Sequence, residues 1–210
     1  AVHTALPLAL VGSVIVTIIG IRFSDTFLQL MNTPENVLPL SSLYMRIYFA
    51  GSVFMLVYNF TAAILRATGD TKSPLIFLII TGVVNVVLNV IFVTAFDMNV
   101  AGVALATTIS QGVSAFLTVR ALVKRTDACK LYISKMRFYG KELFKIIRIG
   151  LPAGVQGSLF SISNVIIQSS INSFGDILMS GNAAAGNIEG FICDMDGVIY
   201  HGDKILDGVR

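Results

Sequence analysis

Residues 59–74 read Asn59-Phe-Thr-Ala-Ala-Ile-Leu-Arg-Ala-Thr-Gly-Asp-Thr-Lys-Ser-Pro74 and separate two long apolar runs. The runs cover residues 43–65 and 75–96. Two apolar runs of about twenty residues, joined by so short a charged segment, are typical of membrane helices connected by a tight turn. Gly69 can take the left-handed conformation that closes the first helix, and Pro74 fits the first turn of the next one.

The same turn has a possible role in conformational switching. Hinges commonly lie at loops and at the ends of helices. We therefore identify Gly69, Asp70 and Pro74 as candidate hinge residues. The alternative interpretation is a simple helix cap that also fixes the membrane topology.

Composition predicts an all-α membrane protein. Hydrophobic residues make up 55% of the 210 residues and charged residues only 13%, whereas a soluble domain is about 25% charged. The net charge of +3 does not indicate nucleic-acid binding, because the basic residues are concentrated in one segment. The two cysteines form no disulfide framework or zinc motif. The sequence also lacks a nucleotide-binding G-x-x-x-x-G-K-[ST] motif, so nothing in it indicates an activity powered by nucleotide hydrolysis.

Five apolar runs are long enough to cross a bilayer. They cover residues 1–21, 43–65, 75–96, 100–122 and 149–174. Residues 138–149 are predicted to form a separate amphipathic helix at the membrane interface. The chain has no initial Met and begins almost directly in a span, so we interpret it as part of a longer protein.

The distribution of basic residues predicts the orientation in the membrane. Nine of the fifteen Lys and Arg residues lie between Arg120 and Arg148, and the tight turn adds Arg66 and Lys72. Five spans place these two segments on one side and the acidic loops on the other. By the positive-inside rule, the segment 120–148 is cytoplasmic and the protein spans the plasma membrane several times.

Several segments, in this order, resemble the multidrug and toxic compound extrusion (MATE) family. They are Leu43-Tyr-Met-Arg-Ile-Tyr48, residues 59–74, Gly82-Val-Val-Asn-Val-Val-Leu-Asn89, Val100-Ala-Gly-Val-Ala-Leu-Ala-Thr-Thr-Ile-Ser-Gln111 and Ile149-Gly-Leu-Pro-Ala-Gly154. The resemblance covers residues 1–190.

The resemblance implies a secondary antiporter of twelve helices in two six-helix bundles. Such proteins exchange Na⁺ or H⁺ for organic compounds that are often cationic, and they need no organic cofactor. The five spans would be the third to seventh helices, with residues 183–191 opening the eighth. The implied partners are the lipid bilayer, small organic cations and the remaining helices of the same protein. Residues 151–174 contain no Asp or Glu, so the acidic residue that some members carry in the seventh helix has no counterpart.

Amide side chains within the spans are the candidate pathway residues, because a polar group in the bilayer needs a partner. Asn85 and Asn89 share one face of the third span, and Asn164, Gln168 and Asn172 form a row on the fifth. The remaining candidates are Asn59, Gln111 and Gln156. They either line a pathway for substrate or ion, or hold helices together at about 0.6 kcal/mol for each hydrogen bond.

Small residues on the fourth span have a plainer interpretation. Gly102, Ala106 and Ser110 recur every four residues. Such a row lets two helix backbones approach closely, so we predict a packing seam.

The last segment, residues 191–210, is rich in Asp and is too polar to lie within a bilayer. Phe191-Ile-Cys-Asp-Met-Asp-Gly-Val198 resembles the opening strand and first motif of haloacid dehalogenase-like phosphatases. The resemblance implies that Asp194 attacks phosphorus, Asp196 protonates the leaving group, and both hold Mg²⁺. The alternatives are an Asp-rich loop without function and a non-functional chimera. Because about twenty residues cannot bury a core, we predict a short non-membrane tail without Mg²⁺-dependent phosphatase activity.

Overall fold

The computed structural model describes residues 2–126, 129–132, 136–192, 200–201 and 204–205, with side chains through residue 185. Its helices are α1 Val2–Leu30, α2 Leu38–Ala50, α3 Ser52–Ala67, α4 Lys72–Thr94, α5 Asn99–Lys124, α6 Gly140–Asn172 and α7 Asp176–Ile192. Two-residue strands, β1 Tyr200–His201 and β2 Lys204–Ile205, pair antiparallel, with Tyr200 opposite Ile205. The predicted all-α membrane fold is confirmed: α1, α4, α5 and α6 are each long and apolar enough to span a membrane.

The predicted span 43–65 is a bent pair of helices rather than one helix. Helices α2 and α3 meet at Gly51 with a bend of 47°, and together they make a fifth candidate span. A Gly–Ser step is a common site of helix kinks, and here Ser52 follows Gly51 directly. The apolar length of residues 43–65 predicts a single span, but length does not reveal a break inside an apolar run.

Hydroxyl groups on neighbouring helices stabilise this bend. The Thr17 hydroxyl of α1 donates to the carbonyl of Phe49 at 3.0 Å and lies 2.8 Å from the Ser52 hydroxyl. Membrane proteins commonly satisfy backbone groups at helix breaks in this way. Gly51 also permits close approach of α5, because a Cβ there would lie 2.7 Å from Cγ2 of Thr108.

Helix α1 continues beyond the apolar run 1–21 and ends at Leu30. Its additional turns contain Asp25, whose carboxylate accepts hydrogen bonds from the Ser42 hydroxyl and from the Arg46 guanidinium at 2.6 Å. This ion pair joins the last turns of α1 to α2. The pair was not evident from hydropathy, since its members are twenty-one residues apart.

Helix α6 is a single helix of 33 residues. The prediction of a separate interfacial helix at 138–149 was therefore wrong. The basic residues at the start of α6 and the apolar run after them share one continuous backbone hydrogen-bond pattern, and Pro152 lies inside the helix.

Helix α5 lies at the centre of the bundle and packs against α2, α3 and α4, while α1 packs on α2 and α3. The predicted seam on α5 is confirmed as a packing surface, because Gly102, Ala106 and Ser110 are all buried. A Cβ on Gly102 would lie 2.9 Å from Cβ of Phe92 on α4. Small side chains are therefore what allow the close α4–α5 contact.

The tight turn and the basic segment lie at the same end of the bundle. The Asp70 carboxylate is 3.9 Å from the Arg125 guanidinium at the end of α5. Nearby, Leu131 packs with Leu6, Leu65 and Leu122 in the buried apolar cluster. This arrangement brings together the two basic loops that the positive-inside argument placed on one side.

Candidate functional site

A polar pocket of about 330 Å³ lies between α3, α4 and α5. It is lined by Tyr58, Leu78, Thr81, Gly82, Asn85, Thr107, Ser110, Gln111 and Ser114. Most of these side chains are polar although they belong to membrane-spanning helices. Polar side chains inside a membrane bundle are a marker of ligand or ion pathways.

Two of the predicted pathway residues, Asn85 and Gln111, line this pocket. Asn89 is one helical turn from Asn85, and its Nδ2 donates to Asn85 Oδ1 at 3.0 Å. The Oδ1 atom of Asn89 is buried and has no hydrogen-bond partner within the described parts of the chain. Amides on two facing helices are thus brought to one place, as a pathway would require.

Hydroxyl groups in the pocket are mostly used within their own helices. Thr81 donates to the Phe77 carbonyl at 2.9 Å, and Ser110 donates to the Ala106 carbonyl at 2.7 Å. Hydroxyls that bond back to the helix contribute less to ligand recognition. The groups best placed to contact a ligand are therefore the amides and the Tyr58 phenol.

Sequence reasoning missed Tyr58, Thr81, Thr107 and Ser114, and it assigned Ser110 to helix packing only. The available signal was periodic: Thr81 precedes Asn85 by four residues, and Thr107 precedes Gln111 by four. Residues four apart share a helix face. The nine lining residues include no carboxylate and no basic group, so this pocket has no charged group to hold a coupling ion.

The other predicted amides lie outside this pocket. The side chains of Asn59, Gln156 and Asn164 are exposed. Gln168 donates to Asn172 Oδ1 at 2.8 Å, and Asn172 donates to the carbonyl of Met31 at 2.9 Å. The row on α6 therefore connects this helix to the end of α1 and does not face the pocket on α3–α5.

The turn has the backbone geometry that its sequence predicts. Gly69 has a φ of +85°, which confirms the left-handed conformation, and Pro74 lies buried in the first turn of α4. Asp70 Oδ1 accepts from the Ser73 N–H at 3.0 Å. This hydrogen bond lowers the pKa of Asp70, and the Ser73 hydroxyl and the Arg125 charge act in the same direction. Asp70 is a helix cap, and the hinge role of Gly69, Asp70 and Pro74 stays a prediction.

The predicted phosphatase residues Asp194 and Asp196 lie outside the described residues. Helix α7 continues to Ile192, so residues 191–192, which the resemblance assigned to an opening strand, are helical. In the described part of the chain, no group of three or more His, Cys, Asp or Glu side chains could hold a metal ion. The phosphatase roles of Asp194 and Asp196 stay a prediction.

These features define a multi-pass helical membrane protein with a polar pocket between its helices. The MatE family model matches residues 1–91. A probable multidrug resistance protein, YpnP of Bacillus subtilis, is 36% identical over 82% of this chain and 38% of the relative. YoeA of the same organism, also described as a probable multidrug resistance protein, is 29% identical over 91% of this chain and 43% of the relative.

A solved structure has the same fold. It is described as an inward-facing conformation of a multidrug resistance MATE family transporter of the MOP superfamily, and it aligns with a TM-score of 0.65. The alignment is 24% identical and covers 80% of this chain and 37% of that one. The chain belongs to the MATE family. It spans about two fifths of the length of the relatives that it matches.

Proposed function

We propose that this chain is part of a secondary exporter that moves organic cations out of the cell in exchange for Na⁺ or H⁺. The observation that carries the proposal is the polar pocket between α3, α4 and α5, with Tyr58, Asn85 and Gln111 on its walls. Relatives described as multidrug resistance proteins support an export function.

The chemistry of the pocket suits a bulky organic cation rather than a small, strongly hydrated one. The Tyr58 ring can contact a cation through its π face, and amide oxygens offer partial negative charge. No full negative charge is present in the lining, so a metal ion would not regain there what it loses on dehydration. A delocalised organic cation loses less hydration and gains apolar contact with Leu78.

The orientation belongs to the same proposal. Basic residues of the α3–α4 turn and of the segment after α5 lie at one end of the bundle, as the Asp70–Arg125 contact shows. The positive-inside rule places that end in the cytoplasm of a plasma-membrane protein. Substrate would then leave at the opposite end of the bundle, where the loop after α1 contacts the end of α6.

The test uses the complete reading frame that carries this sequence, expressed in bacteria that lack their own dye exporters. Export of ethidium should stop when a protonophore or a sodium ionophore collapses the coupling gradient, and the effective ionophore identifies the ion. Asn85→Leu and Gln111→Leu should each raise the half-saturating ethidium concentration about tenfold, because a buried polar contact to the ligand is lost.

The matched control is Asn59→Leu, which removes an exposed amide on α3 outside the pocket. We expect its export to stay within about twofold of the unsubstituted protein. Membrane content of each variant is measured by immunoblot. Equal effects at Asn59 and Asn85 would refute the pocket assignment, and gradient-independent export would refute antiport.

A further inference from the structure

Helix α6 is longer than the hydrocarbon core of a bilayer. Its 33 residues extend about 50 Å at 1.5 Å per residue, whereas the hydrocarbon layer is about 30 Å thick. The apolar run of this helix begins at Ile149, so residues 140–148, a length of about 13 Å, precede it. These first turns therefore lie at the level of the lipid headgroups.

The segment before α6 is attached to the start of α1. The N–H of Arg137 donates to the His3 carbonyl at 3.1 Å, and the N–H of Tyr132 donates to His3 Nε2 at 3.1 Å. The His3 and Tyr132 rings stack with their centroids 6.1 Å apart, and Leu131 is buried in the apolar cluster. The described parts of the basic segment are therefore held at this end of the bundle.

Basic side chains share one face at the start of α6. Lys141, Lys145 and Arg148 follow one another at intervals of four and three residues, so they lie along one side of the helix. All three are exposed, whereas Leu143 and Ile146 on the other side of the helix are half-buried. We call Lys141, Lys145 and Arg148 the basic stripe. It occupies the exposed side of the first turns of α6.

The basic stripe has little negative charge nearby to neutralise it. Residues 120–148 contain nine basic residues but only two acidic ones, Asp127 and Glu142. Glu142 Oε1 lies 3.5 Å from Lys145 Nζ, but the Lys145 side chain is 70% exposed, and an exposed ion pair of this kind is weak. The surface therefore keeps a net positive charge that phosphate oxygens can complement.

Aromatic side chains border the basic stripe. Phe144, which precedes Lys145, is 65% exposed, and Phe138 and Tyr139, just before the helix, are 46% and 47% exposed. Aromatic rings are enriched where the hydrocarbon layer meets the headgroups. A soluble phosphate compound would complement the basic side chains alone. A phospholipid complements the basic side chains with its headgroup and the rings with its acyl chains, and is therefore the better fit.

We propose that the start of α6 is a docking surface for anionic phospholipids. The basic stripe binds the headgroup phosphate, while Phe138 and Phe144 contact the first methylene groups of the acyl chains. Because the cytoplasmic leaflet has a negative surface potential, this contact holds the start of α6 at a fixed depth in that leaflet. Lipid binding here is independent of the export function, whereas its assignment to the cytoplasmic leaflet rests on the proposed orientation.

The test measures lipid binding by the purified protein that the complete reading frame encodes, in a nonionic detergent. Fluorescent phosphatidylglycerol is the probe, and fluorescent phosphatidylcholine with the same acyl chains has no net charge. We expect Lys141→Gln/Lys145→Gln to raise the Kd for phosphatidylglycerol at least about tenfold, because each basic residue contributes about fivefold near an anionic surface. The Kd for phosphatidylcholine should not change. Lys141→Arg/Lys145→Arg keeps both charges and should bind like the unsubstituted protein.

The matched control is Arg66→Gln/Lys72→Gln, which removes the same charge from exposed positions of the α3–α4 turn at the same end of the bundle. Its Kd for phosphatidylglycerol should stay within about twofold of the unsubstituted value. Equal weakening in the two Gln variants would overturn the docking surface, because it would show attraction to the overall charge of this end rather than binding at α6.

Two other occupants of the basic stripe give different results. Displacement of the fluorescent lipid by excess glycerol 3-phosphate would identify a soluble phosphate compound as the ligand and would overturn lipid docking. If acidic residues elsewhere in the complete protein cover the stripe, Lys141→Gln/Lys145→Gln would lower the melting temperature and leave lipid binding unchanged, which would also overturn it.

Salt dependence tests the unsubstituted protein without any variant. In about 1 M NaCl the Debye length falls to about 3 Å, so the preference for phosphatidylglycerol over phosphatidylcholine should disappear. A preference that persists at this salt concentration would contradict binding by exposed basic side chains.

Discussion

The Asp70 carboxylate joins three parts of the structure at the end of the bundle. Asp70 follows α3 in the sequence, and its carboxylate accepts a hydrogen bond from the Ser73 N–H at the start of α4. The same carboxylate lies 3.9 Å from the guanidinium of Arg125, the residue after α5. These contacts favour the ionised carboxylate, so the pKa of Asp70 is lower in the folded protein than its ordinary value of 3.8. A lowered folded-state pKa adds stability above the ordinary pKa, and that stability is lost as the pH falls through the folded value.

At neutral pH, Asp70→Ala should destabilise the purified chain in detergent by about 1 kcal/mol, the usual effect of losing a helix cap. The difference from the unsubstituted chain should shrink as the pH falls below about 4, where the carboxylate protonates. Thermal unfolding followed by circular dichroism at several pH values measures both effects. Asp70→Asn keeps a cap acceptor and should lose less stability. A difference that grows on acidification would contradict this account.

At the scale of helices, glycine positions decide how closely α1 and α2 approach. A Cβ on Gly20 would lie 2.2 Å from Cγ of Phe49, a separation that packed atoms do not adopt. Gly12, on the same helix, has no atom within 4 Å of the corresponding position. Both glycines lie on α1, but only Gly20 lies where an added methyl group would collide with a neighbouring helix.

Gly20→Ala should destabilise the chain by about 1–3 kcal/mol, because the added methyl group must displace the Phe49 ring. Gly12→Ala should be neutral or stabilising by up to about 1 kcal/mol, through helix propensity alone. Thermal unfolding in detergent compares the two variants directly. Similar melting temperatures for both would show that α1 and α2 do not pack as described.

At the scale of the whole molecule, the proposed orientation places the end of α5 inside the cell and the loop after α1 outside. We expect a membrane-impermeant maleimide to leave Cys129 unlabelled in intact cells. The more exposed Thr126→Cys, with both native cysteines replaced by Ser, should also be unlabelled until the membrane is permeabilised. Glu35→Cys in the same background is the opposite-side control and should be labelled in intact cells. The reverse pattern would invert the topology.

Sequence by itself determined the number of apolar runs, the turn at Gly69 and the seam on α5, because hydropathy and residue size act locally. The sequence also determined that Asn85 and Asn89 share one face of α4, because residues four apart lie on the same side of a helix. Only the tertiary structure decided which helices meet. It paired Asp25 with Arg46, placed Tyr58 and Gln111 in one pocket and joined Asn172 to the end of α1. A hydrogen bond or ion pair between distant residues depends on helix rotation and bending, as at Gly51, and apolar length specifies neither.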